Sequence, residues 1–212
     1  MKRKFKFLAL IALIAFAGLG FACGGGDSGD SHTHNWNTET GLCSGCSDLY
    51  YAIGDTGPGS GKIFYVSAGG FPMTGIGTCH YLEASPAGTD EILAWAEPPN
   101  HNDDVPGLGT AIGTGKNNTI VITTQLDLAH APAAWTCKNA TYGGKTDWFF
   151  PSKDELNELC INKDIVILKS DYFYWSSSKI GGLAWYQYSD TGDQDNDVEG
   201  NNVRNVRAIR AF

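Results

Sequence analysis

Two histidines and two cysteines stand closer together near the N-terminus than four such residues do anywhere else in the chain. His32-Thr33-His34 is followed, after eight intervening residues, by Cys43-Ser44-Gly45-Cys46. Two imidazoles and two thiolates are the donor set of a tetrahedral zinc site. The Cys-x2-Cys spacing suits one zinc knuckle, and Gly45 permits its tight turn. On this reading His32, His34, Cys43 and Cys46 are ligands and zinc is the cofactor. A Cys43–Cys46 disulfide is the competing chemistry in an exported, oxidising compartment. A linker with incidental histidines needs neither.

A second set of candidates lies in the long loop from Trp95 to Asp104, where Trp95, Glu97, Asn100, Asp103 and Asp104 collect. An exposed tryptophan face stacks on sugars or anchors a protein partner, and loops carried by a rigid scaffold are where binding residues concentrate. Trp148 and Trp175 are read instead as core. Asp193, Asp195, Asp197 and Glu199 alternate in a late hairpin, but an EF-hand counted from Asp193 would need Gly and Glu where Val198 and Arg204 stand. A solvated acidic turn is the expectation there, and calcium is not. Gly54-Asp-Thr-Gly-Pro-Gly-Ser-Gly-Lys62 fails as a phosphate loop, because Thr56 replaces the first glycine and Ile63 the final Ser/Thr. No Ser/His/Asp set, His-Glu-x-x-His or prominent carboxylate dyad is present, so the chain is read as a non-enzyme. Of the later thiols, Cys160 lies on the apolar face of a helix and reads as buried and free. That leaves Cys79–Cys137 as the expected disulfide.

These groups are carried by a chain of 212 residues with an address at its start. Basic Met1–Lys6 precedes the apolar run Phe7–Ala22, which ends Leu19-Gly-Phe-Ala-Cys23. This resembles a bacterial lipoprotein signal, in which the cysteine thiol, here Cys23, takes the lipid. Residues 1–22 are therefore the signal peptide, 23–31 a Gly/Ser/Asp tether, 32–49 the Cys/His segment and 50–212 the body. The expected location is the cell envelope, at the outer membrane or cell surface rather than the cytoplasmic membrane, with lipid as the membrane contact. Removing the signal takes away four basic residues and leaves 11 Lys+Arg against 23 Asp+Glu. Such an acidic chain repels nucleic acid and polyanions, which excludes them as partners over a broad face.

Within the body, Lys62–Val66, Cys79–Ala84, Tyr172–Ser178, Leu183–Ser189 and Val203–Phe212 read as strands. Helical spacing runs over Asn117–Ala131, with Asn118 as its cap and Pro132 as its stop. A second helix follows the capping box Ser152-Lys-Asp-Glu155. Two helices with short twisted antiparallel strands and long loops define an α+β domain. The last strand is expected to pair with Lys62–Val66, tying Phe212 into the central sheet. Arg207 and Arg210 face opposite sides, with Asp147 or Glu83 as partners.

An ordered series of motifs carries a family resemblance: Ile53-Gly-Asp-Thr-Gly-Pro-Gly, Tyr81-Leu-Glu-Ala-Ser-Pro86, Asp147-Trp-Phe-Phe-Pro-Ser-Lys-Asp-Glu-Leu156, Tyr174-Trp-Ser-Ser-Ser178 and Val206-Arg-Ala-Ile-Arg-Ala-Phe212. The series is similar to the Lcl C-terminal-domain family of bacterial surface lipoproteins and adhesins. The resemblance implies a C-type-lectin-like fold and extracellular recognition of a glycan or surface protein, through the loops Gly69–Gly77 and Trp95–Gly115, and no catalytic set. Glu97-Pro-Pro-Asn100 resembles the Glu-Pro-Asn signature of calcium-dependent lectins, with an extra proline. A structural envelope protein without a soluble ligand is the alternative, and a zinc-binding module at residues 32–46 is another.

Overall fold

The computed structural model describes residues 34–98, 105–197 and 202–212. In chain order the strands are β1 (Trp36–Asn37), β2 (Leu42–Cys43), β3 (Lys62–Met73), β4 (Gly77–Ala84), β5 (Glu91–Ala94), β6 (Phe173–Ile180), β7 (Leu183–Tyr188), β8 (Gln194–Asp197), β9 (Val203–Val206) and β10 (Ile209–Ala211). Among the described residues four helices accompany them: α1 (Gly115–Gln125), α2 (Pro132–Asn139), α3 (Lys153–Ile161) and the single turn α4 (Lys163–Val166). The class is α+β, as expected, with twice the expected number of helices.

Local chemistry explains the helix boundaries. At α3 the Ser152 side chain accepts from the Glu155 amide while the Glu155 carboxylate accepts from the Ser152 amide, the reciprocal cap foreseen from the sequence. The first helix is shorter than its apolar spacing suggested, because Leu126 is extended and breaks the run. Pro132 does not stop that helix. It opens the next one, where its missing N–H costs nothing and its fixed φ suits the first turn. Asn118 is inside α1 rather than at its cap. Fully buried, it bonds the Gly109 amide at 2.8 Å, the Gly109 carbonyl at 2.7 Å and Ser177 Oγ at 3.0 Å.

Three sheets result. The order β10-β4-β3 forms one, β5-β9-β6-β7-β8 another, and β1-β2 a small hairpin ahead of both. Pairing is antiparallel except between β6 and β9, which run parallel at Tyr174 and Asn205. The predicted last strand is divided into β9 and β10, and β10 pairs with β4 rather than with Lys62–Val66. The register opposes Arg210 to Glu83, and that pair favours β4 as the neighbour. Phe212 is nevertheless tied down: its carbonyl accepts from the amides of His80 (2.8 Å) and Tyr81 (3.0 Å).

Two cores lie within the body. One gathers Phe64, Leu82, Phe149, Leu156, Tyr174 and Ile209; the other gathers Trp95, Ile122, Ala134, Phe150, Trp175 and Val206. Adjacent Phe149 and Phe150 enter different cores, so the Asp147–Pro151 segment runs between them. Among the described residues, no helix is long and apolar enough to cross a membrane.

Candidate functional site

The densest set of metal-ligand atoms is built by the small hairpin. In β1-β2, Trp36 opposes Cys43 and Asn37 opposes Leu42. Gly41 makes the turn with φ +65°, and a Cβ there would lie 2.4 Å from the Tyr81 ring. Beyond β2 the chain curls on itself: the Cys43 amide donates to the Asp48 carbonyl at 3.0 Å, and the Ser47 amide to the Cys43 carbonyl at 2.9 Å. Ser47 takes a left-handed conformation to do so. The curl returns Cys46 toward His34, with Sγ 3.5 Å from His34 Nδ1. The ligand atoms of His34, Cys43 and Cys46 all lie within 4.8 Å of one another. This His/Cys/Cys group can hold a metal ion.

Its surroundings favour that role. Asp48 Oδ2 stands 4.0 Å from His34 Nε2, close enough for charge attraction but too far for a hydrogen bond, while Nδ1 faces Cys46. Trp36 stacks on the His34 ring, 4.6 Å between centroids and 6° from parallel. Desolvation, with hydrogen bonding to the Cys43 thiol and the Asp48 charge, pushes the Cys46 thiol up to about 11, which works against the thiolate, so a metal must displace that proton to bind. No disulfide joins Cys43 to Cys46 in this structure, so the competing pairing is not seen. His32, the fourth ligand expected from the sequence, lies outside the described residues. Asp48 was missed; its place two residues after Cys46 in a Cys-x2-Cys turn was the available signal.

The Trp95 site requires correction. Trp95 is 1% exposed, its Nε1 donates to the Ser176 carbonyl at 2.7 Å, and the Lys179 ammonium covers its ring. Strand β5 pairs with β9 immediately before it and delivers the indole to the second core. Glu97 is half-buried, with its amide donating to the His130 carbonyl at 3.0 Å. Asn100, Asp103 and Asp104 lie outside the described residues. The Cys79–Cys137 disulfide is likewise overturned. Cys79 is in the first core and Cys137 in the second, both as free thiols. Cys160 is buried and free, as read.

The glycine run that failed as a phosphate loop still binds an anion, the protein's own. Buried Glu83 accepts from the Gly59 amide at 3.0 Å, the Gly61 amide at 2.8 Å and Arg210 Nη1 at 3.1 Å. A Cβ at Gly57 would stand 2.5 Å from the Glu83 carboxyl carbon, so the cradle fits the side chain closely. Arg210 is also held by both oxygens of Asp147, and Arg207 by both oxygens of Asp90. In the acidic hairpin, Asp197 is committed to Arg204 at 2.7 Å.

The expected loop Gly69–Gly77 is instead the end of β3, a turn over Thr74–Ile76 and the first residue of β4, because Phe71–Met73 pair with Gly77–Cys79; this hairpin end does approach part of the Trp95–Gly115 segment. Pro72, Met73, Thr74, Gly77 and Thr78 form one wall of a cleft of about 680 Å³, and Ala111–Thr114 the other. Gly113, at φ +91°, lets the walls close: a Cβ would lie 2.3 Å from the Pro72 carbonyl. Among the described residues, none that lines the cleft is charged. The sequence marked these loops but not the individual residues Ile112, Thr114 and Thr78, which carry no distinctive chemistry alone.

No protein-family model matches the chain, and no curated protein matches it.

Proposed function

We propose that this is a lipid-anchored recognition protein of the bacterial envelope, whose body takes a neutral glycan in the cleft between the β3–β4 turn and Ala111–Thr114. The observation that supports the reading is the convergence of the β3–β4 hairpin end and the Ala111–Thr114 loop on a cleft that no charged residue lines among the described residues, in an acidic chain. Hydroxyls of Thr74, Thr78 and Thr114 lie beside the apolar surface of Pro72 and Ile112, a mixture suited to the two kinds of surface on a sugar ring. The terminal strand held in the central sheet and the long loops favour a C-type-lectin-like body. Glycan and matrix-protein arrays test this, with Thr78→Arg and Ile112→Arg as cleft-blocking variants. Glycan signals abolished by both variants are the expected result. Protein-only signals reassign the ligand, and silence on both arrays favours the structural envelope protein.

A second reading concerns the neck, and the His34/Cys43/Cys46 geometry favours it: this group binds zinc. Two soft thiolates with an imidazole suit Zn²⁺ better than hard, oxygen-seeking cations, and His32 is the sequence candidate to complete the set. Metal analysis of protein purified without a His-tag should find about one zinc per chain. No zinc, with both thiols oxidised, overturns it.

A further inference from the structure

We infer that a metal held by His34, Cys43 and Cys46 is the latch that fastens the neck, residues 34–51, to the body. This rests on the zinc reading and adds a task for the ion. The neck has almost no core to hold its shape, although Glu39 pairs with Lys145 on the body and its turns carry local hydrogen bonds. Its two strands have two residues each, and of residues 34–51 only Gly41 and Cys43 are buried. An isolated hairpin of that size is not stable in water, and segments lacking a core need a metal or covalent staple. A metal joining residue 34 to residues 43 and 46 closes the hairpin and the curl behind it in one step.

The closed shape is what the body grips. Tyr81, fully buried on β4, donates its hydroxyl to the Gly41 carbonyl at 2.8 Å and accepts from the Tyr50 amide at 2.9 Å. Gly41 is two residues from the ligand Cys43, so the carbonyl that Tyr81 holds is positioned by the same turn that presents the thiol. Aromatic rings extend the connection without a break. His34 stacks on Trp36, Trp36 meets Tyr50 at 5.3 Å, Tyr50 meets Tyr51 at 4.7 Å, and Tyr51 packs edge-on against Tyr81 (5.6 Å) and Phe212 (5.7 Å). The metal site is therefore linked to Phe212 through Trp36, Tyr50 and Tyr51, and a metal-dependent neck sets whether these rings stay docked on the body.

Hydrogen exchange on the full chain in detergent, under reducing conditions, tests this with zinc and after chelation, zinc content being measured in parallel. Chelation should speed exchange of amides in residues 41–51 about tenfold or more while α3 and β6–β7 are unchanged. Tyr81→Phe should keep the zinc and speed exchange of the Tyr51 amide, which donates to the Tyr81 hydroxyl at 3.4 Å, while the Tyr50 amide keeps the Gly41 carbonyl at 2.8 Å. Bound zinc with neck protection unaltered by chelation overturns the latch and leaves the zinc reading standing. No bound zinc overturns that reading and the latch with it.

Discussion

Arg210 and Glu83 face each other across the β10–β4 pair, with Arg210 Nη1 donating to Glu83 Oε2 at 3.1 Å and both side chains almost fully out of water. The pair joins three separate parts of the chain: the final strand, the central strand and, through the amides of Gly59 and Gly61, the glycine-rich loop that opens the body. Removing one member of such a pair leaves an uncompensated charge and orphaned amides in the interior. Glu83→Ala should cost about 3–5 kcal/mol, read from urea denaturation. A loss below about 1 kcal/mol would mean that the pair is solvated in solution.

Glu155 makes stability depend on pH. Burial pushes its carboxyl up to about 7, against the opposing pull of amides from Ser152 and Gly113. The folded state thus holds its proton more tightly than the unfolded chain, whose carboxyl titrates near 4.5. The stabilisation is complete below about pH 4.5, erodes as pH rises and is gone above about 7, a change on the order of 3 kcal/mol. Glu155→Gln, which mimics the neutral acid, should flatten this part of the profile. Wild type and variant compared by denaturation from pH 4 to 8 should diverge between these limits, and parallel curves would refute the assignment.

The thiols offer a chemical check on the two cores. Burial pushes Cys79 up to about 11 and Cys160 up to about 12, and it raises Cys137 as well. A buried thiol held protonated is a poor nucleophile. All three should resist iodoacetamide at pH 7.5 in the native protein and react in denaturant. Peptide mapping without reductant should show no Cys79–Cys137 link. Finding one would require the two cores to be arranged differently.

What the sequence revealed was what local chemistry decides. The Ser152/Glu155 cap needs only four residues, and the apolar face of Leu156, Leu159 and Cys160 follows from helical spacing. Of the two arginines for which Glu83 and Asp147 were the expected partners, Arg210 binds both, whereas Arg207 binds Asp90, which the sequence did not suggest. The misreadings concern choices made at a distance. Pro132 is equally good as the end of one helix or the start of another, and only the extended Leu126 before it decides. Trp95 adjoins a polar loop in sequence, yet β5 pairing with β9 turns it inward. The Cys/His segment was recognised from residue types, whereas Asp48 and the aromatic path to Phe212 depend on a fold that spacing does not encode.

The two walls of the cleft and buried Trp95 predict opposite phenotypes. Trp95→Ala removes a large side chain from the second core and leaves the Ser176 carbonyl without its indole donor, so it should cost about 3–5 kcal/mol. Where the variant remains folded, ligand binding should persist, because Trp95 lines no part of the cleft. Thr78→Arg places a charge at an exposed cleft position and should alter stability by less than about 0.5 kcal/mol while abolishing binding. Melting curves and array binding measured on the same preparations separate the effects. Loss of binding in folded Trp95→Ala, with Thr78→Arg still active, would move the ligand site from the cleft back to the 95–104 loop.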